Sequence, residues 1–395
     1  MSTAEIKCVG ATQKLYEACG SLFAFDATVL SCEPAEEGHY AVVLDRTAFF
    51  PEGGGQYADT GKLGGVRVLD VQIRGERLLH YTDAPLGAGD FVRGELDADK
   101  RYVRMQHHTG EHILSGLIHR AYGYENVGFH LSDEEMTMDV SGPLSEAQLR
   151  ELEVAANRVV WENHAVTAAY PDPTALAALS YRSKLELTEN VRIVTIEGVD
   201  ACACCAPHVA RSGEVGLIRI AQSINYKGGV RLWVVCGERA LRLWHTEHDA
   251  LDAIARSFSA SRDEALQSVL RLQKESGELR GELAQCRREL LLGRVRQAAA
   301  DGERHLLLFD GGSDANAMRY AAEQGAMLCD GACAVFSSEL QGSVRYVCIS
   351  DHIALREISK RLHATLGGRG GGSDRMIQGS VPCDESAIRA FFAEI

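Results

Sequence analysis

Four residues with metal-binding side chains occur as two pairs in this sequence, and both pairs have the same spacing. His108 and His112 stand in MQHHTGEHILSG, whereas Cys204 and His208 stand in DACACCAPHVARSGEVG. Residues four apart on a helix project from the same face, so the two histidines of the first pair can present their imidazoles to one ion. A thiolate and a third imidazole from the second segment would complete a tetrahedral nitrogen and sulfur set, which suits zinc best. The sequence therefore predicts one Zn2+ per chain.

The identity of the thiol ligand stays open at this point, because Cys202, Cys204 and Cys205 are crowded together. Cys204 is preferred, since it repeats with His208 the spacing of the first pair. Four protein ligands normally form a closed structural site, whereas catalysis needs a position for water or substrate. A catalytic zinc therefore requires either one loosely held ligand or a coordination number that rises when substrate binds.

Glu111 supports a different class of enzyme. The residues from His108 to His112 fit His-x-x-Glu-His, the inverted zincin signature, in which the glutamate is the general base of a peptidase. That class needs a glutamate from a later helix as its third metal ligand, and Glu186 and Glu189 are the candidates. A zinc metallopeptidase leaves the second ligand pair and the glycine-rich segments unexplained, so it is the alternative hypothesis.

The elements that must position these residues begin with a small antiparallel β-barrel, predicted over residues 1–100. Between about 20 and 100, short runs rich in valine, leucine and aromatic residues are separated by Gly, Asp and Pro turns. PEGGGQ interrupts these runs and ends at Gln56. Three successive glycines let a backbone approach a ligand closely and expose N–H groups to an oxyanion or a phosphate. Thr47 lies on the strand that leads into this segment.

Beyond the barrel, the pattern predicts a multidomain chain that combines α/β and α+β folds. Residues 101–244 predict an α+β domain, with a helix over KRYVRMQHHTGEHILSGLIHRAYG and a second helix that has Ser145 as its N-cap. Residues 245–300 predict a helical linker, and residues 301–395 an α/β domain. The linker carries an apolar repeat of threes and fours that is typical of a coiled-coil seam, although a helical hairpin packed on itself fits equally well. The seam residues are Val269, Leu272, Ser276, Leu279, Leu283, Cys286 and Leu290.

Bulk composition favours a soluble, cytoplasmic protein of more than one domain. The chain has 395 residues, of which 46% are hydrophobic and 24% are charged, as in globular proteins that exceed one ordinary core. We expect no membrane partner, because no apolar stretch is long enough to span a bilayer and no signal peptide is recognisable. The 12 cysteines are expected to be reduced thiols, since no secretory signal accompanies them.

A net charge of −14 argues against a strongly basic nucleic-acid binder, because phosphate binding normally leaves a basic footprint. A local arginine-rich face can still bind a polyanion. Two stretches qualify: the helical linker and the glycine-rich LGGRGGGSDRMIQGSV, which we expect to be a phosphate-wrapping loop. The candidate residues for contact with a nucleic acid are Arg280, Arg287, Arg288, Gly368, Arg369, Gly370, Gly371, Gly372 and Arg375.

Together, these motifs resemble the editing domain of alanyl-tRNA synthetase and the free-standing AlaX-type alanyl-tRNA editing proteins. The similarity rests on LDRTAFFPEGGGQYADTG, MQHHTGEHILSG and CCAPHVARSGEVGLIRI, which occur in the family's order. LGGRGGGSDRMIQGS resembles the DHH-associated domain that follows a helical linker in the synthetase and in the long editing proteins. No amino-acid activation motif precedes the barrel.

The resemblance implies a zinc-dependent hydrolase that deacylates tRNA(Ala) mischarged with serine or glycine. It also implies that residues 301–395 form a tRNA-binding domain, and a homodimer through that domain or the linker is compatible with it. A site that bonds a substrate hydroxyl discriminates against alanine, which lacks one. The implied site residues are the metal ligands His108, His112, Cys204 and His208, the hydroxyl-sensing Thr47, and Gln56.

One departure from the family separates the cysteine from the histidine of the second pair. Many members have Gly-Gly-Thr where this chain has Cys205, Ala206 and Pro207, and proline removes a backbone donor. Three questions stay open: serine against glycine preference, the oligomeric state, and whether zinc activates water or positions substrate. A third hypothesis is a non-catalytic, zinc-stabilised tRNA-binding protein, which would unfold when its metal is removed.

Overall fold

The computed structural model describes residues 12–183, 190–338 and 343–395. These residues form a mixed α/β protein with several separate sheets, which confirms the predicted fold class at that level. Two compact units divide the chain, Met1–Ala250 and Leu251–Ile395. The finer division into four domains stays a prediction.

Antiparallel strands of the first unit close into a six-stranded barrel with the strand order β2-β3-β7-β6-β5-β8. Alternate apolar side chains, among them Val42, Leu44, Val68 and Leu78, are buried in its core, because successive residues of a strand point to opposite faces. A short parallel pair, β1 with β4, lies outside this order. The elements of this region are β1 (Gln13–Lys14), α1 (Leu15–Ala18), β2 (Ala24–Pro34), β3 (Tyr40–Leu44), β4 (Arg46–Thr47), β5 (Gly61–Leu63), β6 (Val66–Arg74), β7 (Arg77–Thr82) and β8 (Phe91–Leu96).

A long helix, α2 (Ala98–Tyr122), follows the barrel and carries the first histidine pair. It ends at Gly123, whose φ of 70° is a left-handed conformation that glycine adopts without strain. Gly116 allows the chain around Val199 to approach the helix closely, because a Cβ at this position would lie 2.7 Å from the Val199 carbonyl oxygen. This approach brings Asp200 and the residues after it towards the histidine-bearing face.

Two further sheets complete the first unit, with the orders β14-β15-β10-β9 and β11-β12-β13. Their apolar faces pack with Met105, Leu114 and Ile118 of α2 in one core. Ser145 caps α3 and forms a capping box with Gln148, as the sequence predicts. The elements are β9 (Asn126–Leu131), β10 (Met136–Val140), α3 (Glu146–Glu162), β11 (Val166–Ala169), α4 (Pro173–Ala178), β12 (Ile193–Ile196), β13 (Asp200–Ala203), β14 (Ile218–Tyr226), β15 (Gly229–Cys236) and α5 (Glu238–Ser257).

The second unit contains a five-stranded sheet and a helix of 39 residues, α6. The sheet has the order β16-β17-β18-β20-β19, and its core includes Leu291 and Val295 from the end of α6. The elements are α6 (Arg262–Ala300), β16 (Leu306–Asp310), α7 (Ala315–Ala326), β17 (Cys333–Ser338), β18 (Val344–Ile349), α8 (Leu355–Leu366), β19 (Arg369–Gly372), β20 (Met376–Val381) and α9 (Glu385–Ala393).

The apolar repeat in α6 lies on the surface of the single chain. The leucines at 272, 279, 283 and 290 are between 51% and 70% exposed. A coiled coil between two chains therefore stays a prediction, for which these exposed leucines would form the contact surface.

The glycine-rich stretch near the carboxyl end differs from its prediction as a loop, because residues Arg369–Gly372 form the edge strand β19 and residues Met376–Val381 form its neighbour β20. Gly370 lies opposite Gly379 of β20. A Cβ on Gly370 would lie 2.3 Å from the Gln378 carbonyl oxygen, so the missing side chain allows the two strands to pair closely. Throughout the described ranges, no helix combines the length and apolarity needed to span a bilayer.

Candidate metal centre

The two ligand pairs predicted from the sequence converge on one point. His108, His112, Cys204 and His208 each place a ligand atom within 4.8 Å of the other three. Cys204 Sγ lies 3.5 Å from His108 Nε2 and 3.4 Å from His208 Nε2. Tetrahedral zinc with bonds of about 2.0–2.3 Å holds its ligand atoms roughly 3.3–3.7 Å apart. These two sulfur-to-nitrogen distances therefore fit zinc.

Each imidazole of the cluster has an oxygen beside its other ring nitrogen. Gln56 Oε1 lies 2.8 Å from His108 Nδ1, and Thr109 Oγ1 lies 3.1 Å from His208 Nδ1. Asp200 Oδ2 lies 3.2 Å from His112 Nδ1, an ion-pair contact whose angle falls short of a hydrogen bond. Metal-binding histidines typically donate their second ring N–H to such an oxygen, which fixes the tautomer and the ring orientation. The arrangement leaves Nε2 of all three rings available to an ion.

Cys204 is the thiol that meets these imidazoles. Cys202 instead groups with His112 and Asp200, and Cys205 belongs to neither group. The Arg192 guanidinium donates to the carbonyl oxygens of Cys204 and of Ala206, both at 2.9 Å, and so fixes the loop that carries the ligand. Burial by itself would raise the pKa of the Cys204 thiol, but the neighbouring imidazoles hold that pKa well below its ordinary value. The thiolate, which is the ligand form, is thereby favoured.

A network of buried charges supports the His112 side of the cluster. Arg182 binds Asp200 through two hydrogen bonds of 2.8 Å. Burial would raise the pKa of Asp200, but His112 and Arg182 lower it to about 2. For Glu111, burial would likewise raise the pKa, but His112 and Arg182 lower it below its ordinary value. Both carboxylates are therefore ionised at neutral pH.

A cavity of about 790 Å³ opens beside the cluster. Three of the four candidate ligands line it, together with Glu111, Asn126 and Phe129. Cavities of about 300–1,000 Å³ hold ligands of drug size. The space therefore fits a molecule of that size, with one end against the candidate metal ligands.

Thr47 is fully buried and does not line this cavity. Its hydroxyl lies 2.8 Å from His80 Nε2 and accepts a hydrogen bond from the Phe49 N–H. His80 Nδ1 lies 3.1 Å from the Val42 carbonyl oxygen, so Nδ1 carries the proton and Nε2 accepts from Thr47. One acceptor lone pair of the hydroxyl remains. Any substrate hydroxyl sensed here would have to donate to it.

Gln56 lies deep beside the cluster, with its amide Nε2 lacking a hydrogen-bond partner among the described residues. Gln56 was a candidate because its terminal amide can donate and accept hydrogen bonds. In the structure the amide oxygen lies against His108. Three other neighbours of the cluster were missed: Thr109, Arg182 and Asp200. Asp200 stands four positions before Cys204, a spacing that could have drawn attention to it. Glu186 and Glu189, proposed for a peptidase, lie outside the described residues.

The candidate RNA-binding arginines are all exposed on the second unit. Arg287 donates to the Gly312 carbonyl oxygen, and Arg288 lies over the Tyr320 ring. Arg375 pairs with Asp351 at 2.7 Å. Within the part of the chain that the structure describes, Arg280 and Arg369 have no ion pair and no side-chain hydrogen bond. These two guanidinium groups are the most available to a phosphate.

Comparison with known proteins places the site in a family context. Residues 191–232 match the family model of the threonyl and alanyl tRNA synthetase second additional domain. Alanine–tRNA ligase of Halorubrum lacusprofundi is 30% identical, across 94% of this chain and 42% of that protein. The Thermococcus kodakarensis enzyme is 35% identical, across 63% of this chain and 29% of that protein. The chain thus spans less than half the length of these curated relatives.

One solved structure, the C-Ala domain from Aquifex aeolicus alanyl-tRNA synthetase, matches 22% of this chain and 85% of that domain. The sequence identity is 15% and the TM-score is 0.20. A TM-score of this size supports no argument about the fold.

Proposed function

This chain is a relative of the editing and carboxy-terminal domains of alanyl-tRNA synthetase, and from that premise we propose that it is a zinc-dependent hydrolase acting on mischarged tRNA(Ala). Its chief substrate would be seryl-tRNA(Ala), with glycyl-tRNA(Ala) as a second. The products would be the free amino acid and uncharged tRNA. The relatives are ligases by name, so the hydrolytic activity is our inference from the site.

The observation that carries this proposal is the cluster of His108, His112, Cys204 and His208 at the edge of the cavity. A zinc ion held there would supply positive charge beside the ester carbonyl. Aminoacyl esters are activated acyl groups, so a positioned water and some stabilisation of developing negative charge suffice. Water adds its oxygen to the carbonyl carbon, the bond to the ribose oxygen breaks, and that oxygen leaves as a hydroxyl.

The protein's own groups would prepare this step by orienting the ligands. Gln56, Thr109 and Asp200 set the orientation of the three imidazoles, and Arg192 fixes the loop of Cys204. We also propose that Thr47 senses the serine hydroxyl by accepting a hydrogen bond from it at its remaining lone pair. Residues 301–395, with the arginines of the linker helix, are proposed to bind the body of the tRNA.

The proposal is tested by incubating the zinc-loaded protein with seryl-, glycyl- and alanyl-tRNA(Ala), with and without a chelator. We expect release of serine, slower release of glycine, little release of alanine, and loss of activity when zinc is removed. Cys204→Ala should abolish deacylation and lower the zinc content below one ion per chain. Cys205→Ala is the matched control, since Cys205 is outside the cluster, and it should keep its zinc.

Two results would contradict the proposal. Hydrolysis of peptides without deacylation of tRNA would favour the peptidase. Binding of tRNA without deacylation, combined with unfolding on zinc removal, would favour the non-catalytic binding protein. Circular dichroism of the chelated protein separates this last case, because a catalytic zinc can leave while most of the fold remains.

A further inference from the structure

Glu111 has a contact pattern that the metal centre does not require. Its carboxylate lies beside the cluster, with Oε2 3.8 Å from His112 Nε2, and it lines the cavity. Asn126 Nδ2 donates to Oε1 at 2.6 Å, and the Ser115 hydroxyl donates to the same oxygen. No residue in the described ranges donates a hydrogen bond to Oε2. One carboxylate oxygen is thus fixed by the protein, and the other is left for the cavity.

The chemistry of an aminoacyl ester supplies a partner for that oxygen. Such an ester carries an α-ammonium group that is separated from the carbonyl carbon by a single carbon atom. A carboxylate that binds the ammonium therefore also sets the position of the carbonyl. Since Glu111 lies directly beside the ligand cluster, an ester held in this way has its carbonyl at the metal centre.

We propose that Glu111 Oε2 binds the α-ammonium group of the aminoacyl ester, so that the site selects esters of free α-amino acids. The inference rests on the proposed function and specifies its substrate class. Esters whose amino group is replaced by a hydroxyl, or blocked by acylation, lack the cation and are disfavoured. Glu111 is on this view a substrate-binding residue that determines specificity, alongside the groups that sense the side chain.

Glu111→Gln gives a sharp test, because the hydrogen bonds determine how the new amide must lie. Asn126 Nδ2 can only donate, so the carbonyl oxygen of glutamine takes the place of Oε1. The amide NH2 then takes the place of Oε2 and faces the substrate ammonium with its own hydrogens. Shape and both internal hydrogen bonds are kept while the attraction becomes a repulsion.

The binding experiment uses two non-hydrolysable mimics of the aminoacylated end of tRNA. They are the seryl and the glyceroyl (2,3-dihydroxypropanoyl) amides of 3′-amino-3′-deoxyadenosine. They differ in having an α-ammonium or an α-hydroxyl group. Calorimetry on the zinc-loaded protein should show at least about tenfold tighter binding of the ammonium form, because hydrogen bonds to charged groups are the stronger ones. In Glu111→Gln this preference should fall to about one or below.

The kinetic experiment compares seryl-tRNA(Ala) with the glyceroyl-tRNA(Ala) obtained from it by nitrous acid deamination. A loss of kcat/KM in Glu111→Gln that is confined to the seryl ester supports the proposal. An equal loss for both esters would overturn it, since Glu111 would then act on a feature that both share, as a general base does. Unchanged rates for both would overturn it as well.

Glu125→Gln is the matched control. Glu125 also lines the cavity, but its carboxylate pairs with His119 at 2.8 Å, so the same change of charge should leave the preference intact. Failure of the two proposals can be told apart. A wild-type protein that hydrolyses neither ester contradicts the proposed function, whereas one that hydrolyses both equally well contradicts only the role of Glu111.

Discussion

At the scale of single residues, the candidate metal centre depends on oxygens that are not ligands. The three imidazoles are oriented by a glutamine from the barrel loop, a threonine from α2 and an aspartate from β13. Each partner comes from a different segment, so none replaces another. Removing one should disturb one ring and leave the other two in place.

Asp200→Asn is expected to weaken zinc binding without unfolding the protein. Asparagine keeps the shape but loses the charge that faces His112, and loss of such a partner typically lowers metal affinity by about 10- to 100-fold. Competition with a chromophoric chelator measures this affinity directly. Asp139→Asn is the matched control, because Asp139 makes an equivalent two-pronged pair with Arg231 away from the cluster. Equal affinities in both variants would refute the role of Asp200.

Thr47→Val tests the proposed hydroxyl sensor. The change removes two hydrogen bonds of a buried side chain, at about 0.5–1.5 kcal/mol for each, so we expect a lower melting temperature. If Thr47 also senses the substrate, the ratio of serine to alanine release should fall. Thr82→Val provides the comparison, since Thr82 is another buried barrel threonine with carbonyl partners. A ratio that stays constant in Thr47→Val would leave Thr47 a purely structural role.

The four candidate ligands could be picked out from the sequence because a spacing of four residues has a direct meaning on a helix. Cys204 and His208 repeated that spacing without being helical, and their convergence with α2 is a tertiary fact. Thr109 and Arg182 gave no signal, because a polar residue beside a ligand looks like any other until the chain folds. The choice of Cys204 over its neighbours likewise depends on the direction in which each thiol points.

At the scale of elements, a buried histidine of the barrel links two other strands, β3 and β4. His80 of β7 is fully buried, and burial lowers its pKa to about 4. The ring bridges the Val42 carbonyl oxygen of β3 and the hydroxyl of Thr47. The neutral ring therefore holds these strands together through one donated and one accepted hydrogen bond.

The barrel should lose stability as the pH falls from about 6.5 to about 4. Within that window the unfolded chain takes up a proton at His80 and the folded chain does not, so acid favours unfolding, by up to about 3 kcal/mol at its lower end. Hydrogen exchange of peptides over residues 40–47 and 77–82, corrected for intrinsic rates, reports the opening free energy. His80→Gln should flatten the dependence, whereas His39→Gln should not. Parallel profiles for all three proteins would contradict this.

Other elements show where reading the sequence reached its limit. The charged helix and the strands β16, β17 and β18 of the second unit were recognisable from their apolar patterns. The Arg369–Gly372 stretch was not, since a run of glycines suggests a loop, and β-propensity cannot reveal a strand whose pairing needs absent side chains. The missing information was that Gly379 lies opposite Gly370 on the neighbouring strand, and the sequence alone does not reveal that pairing.

At the scale of the whole molecule, the proposed function pairs an acidic chain with an acidic partner. The net charge is −14, so the proposed binding to tRNA would have to come from a few local arginines against a general repulsion. Arg280 and Arg369 are exposed, and no ion pair or side-chain hydrogen bond engages them among the residues that the structure describes. These two arginines are therefore the strongest candidates for the proposed RNA contacts.

Replacing both Arg280 and Arg369 by glutamine should weaken tRNA binding and reduce its dependence on salt. Each lost phosphate contact is expected to lower the slope of log K against log salt by about one, because fewer counterions are released. Filter binding from low to moderate salt measures this slope. Arg389→Gln is the control, because Arg389 on α9 is already paired with Glu385 at 2.8 Å. Slopes unchanged from the parent would place the RNA contacts elsewhere.

The distance along the chain between the two ligand pairs has a consequence for how the protein is made. His112 and Cys204 are 92 positions apart (204 − 112), and a ribosome adds roughly 5–20 residues per second. For about 5–20 s of synthesis the first histidines are therefore present without the thiol. Two imidazoles alone would retain zinc poorly, so the proposed ion would be captured late, after the barrel and α2 have left the ribosome. The zinc supply in the cell would then determine how many completed chains carry the ion, and it would not affect chains that are still being synthesised.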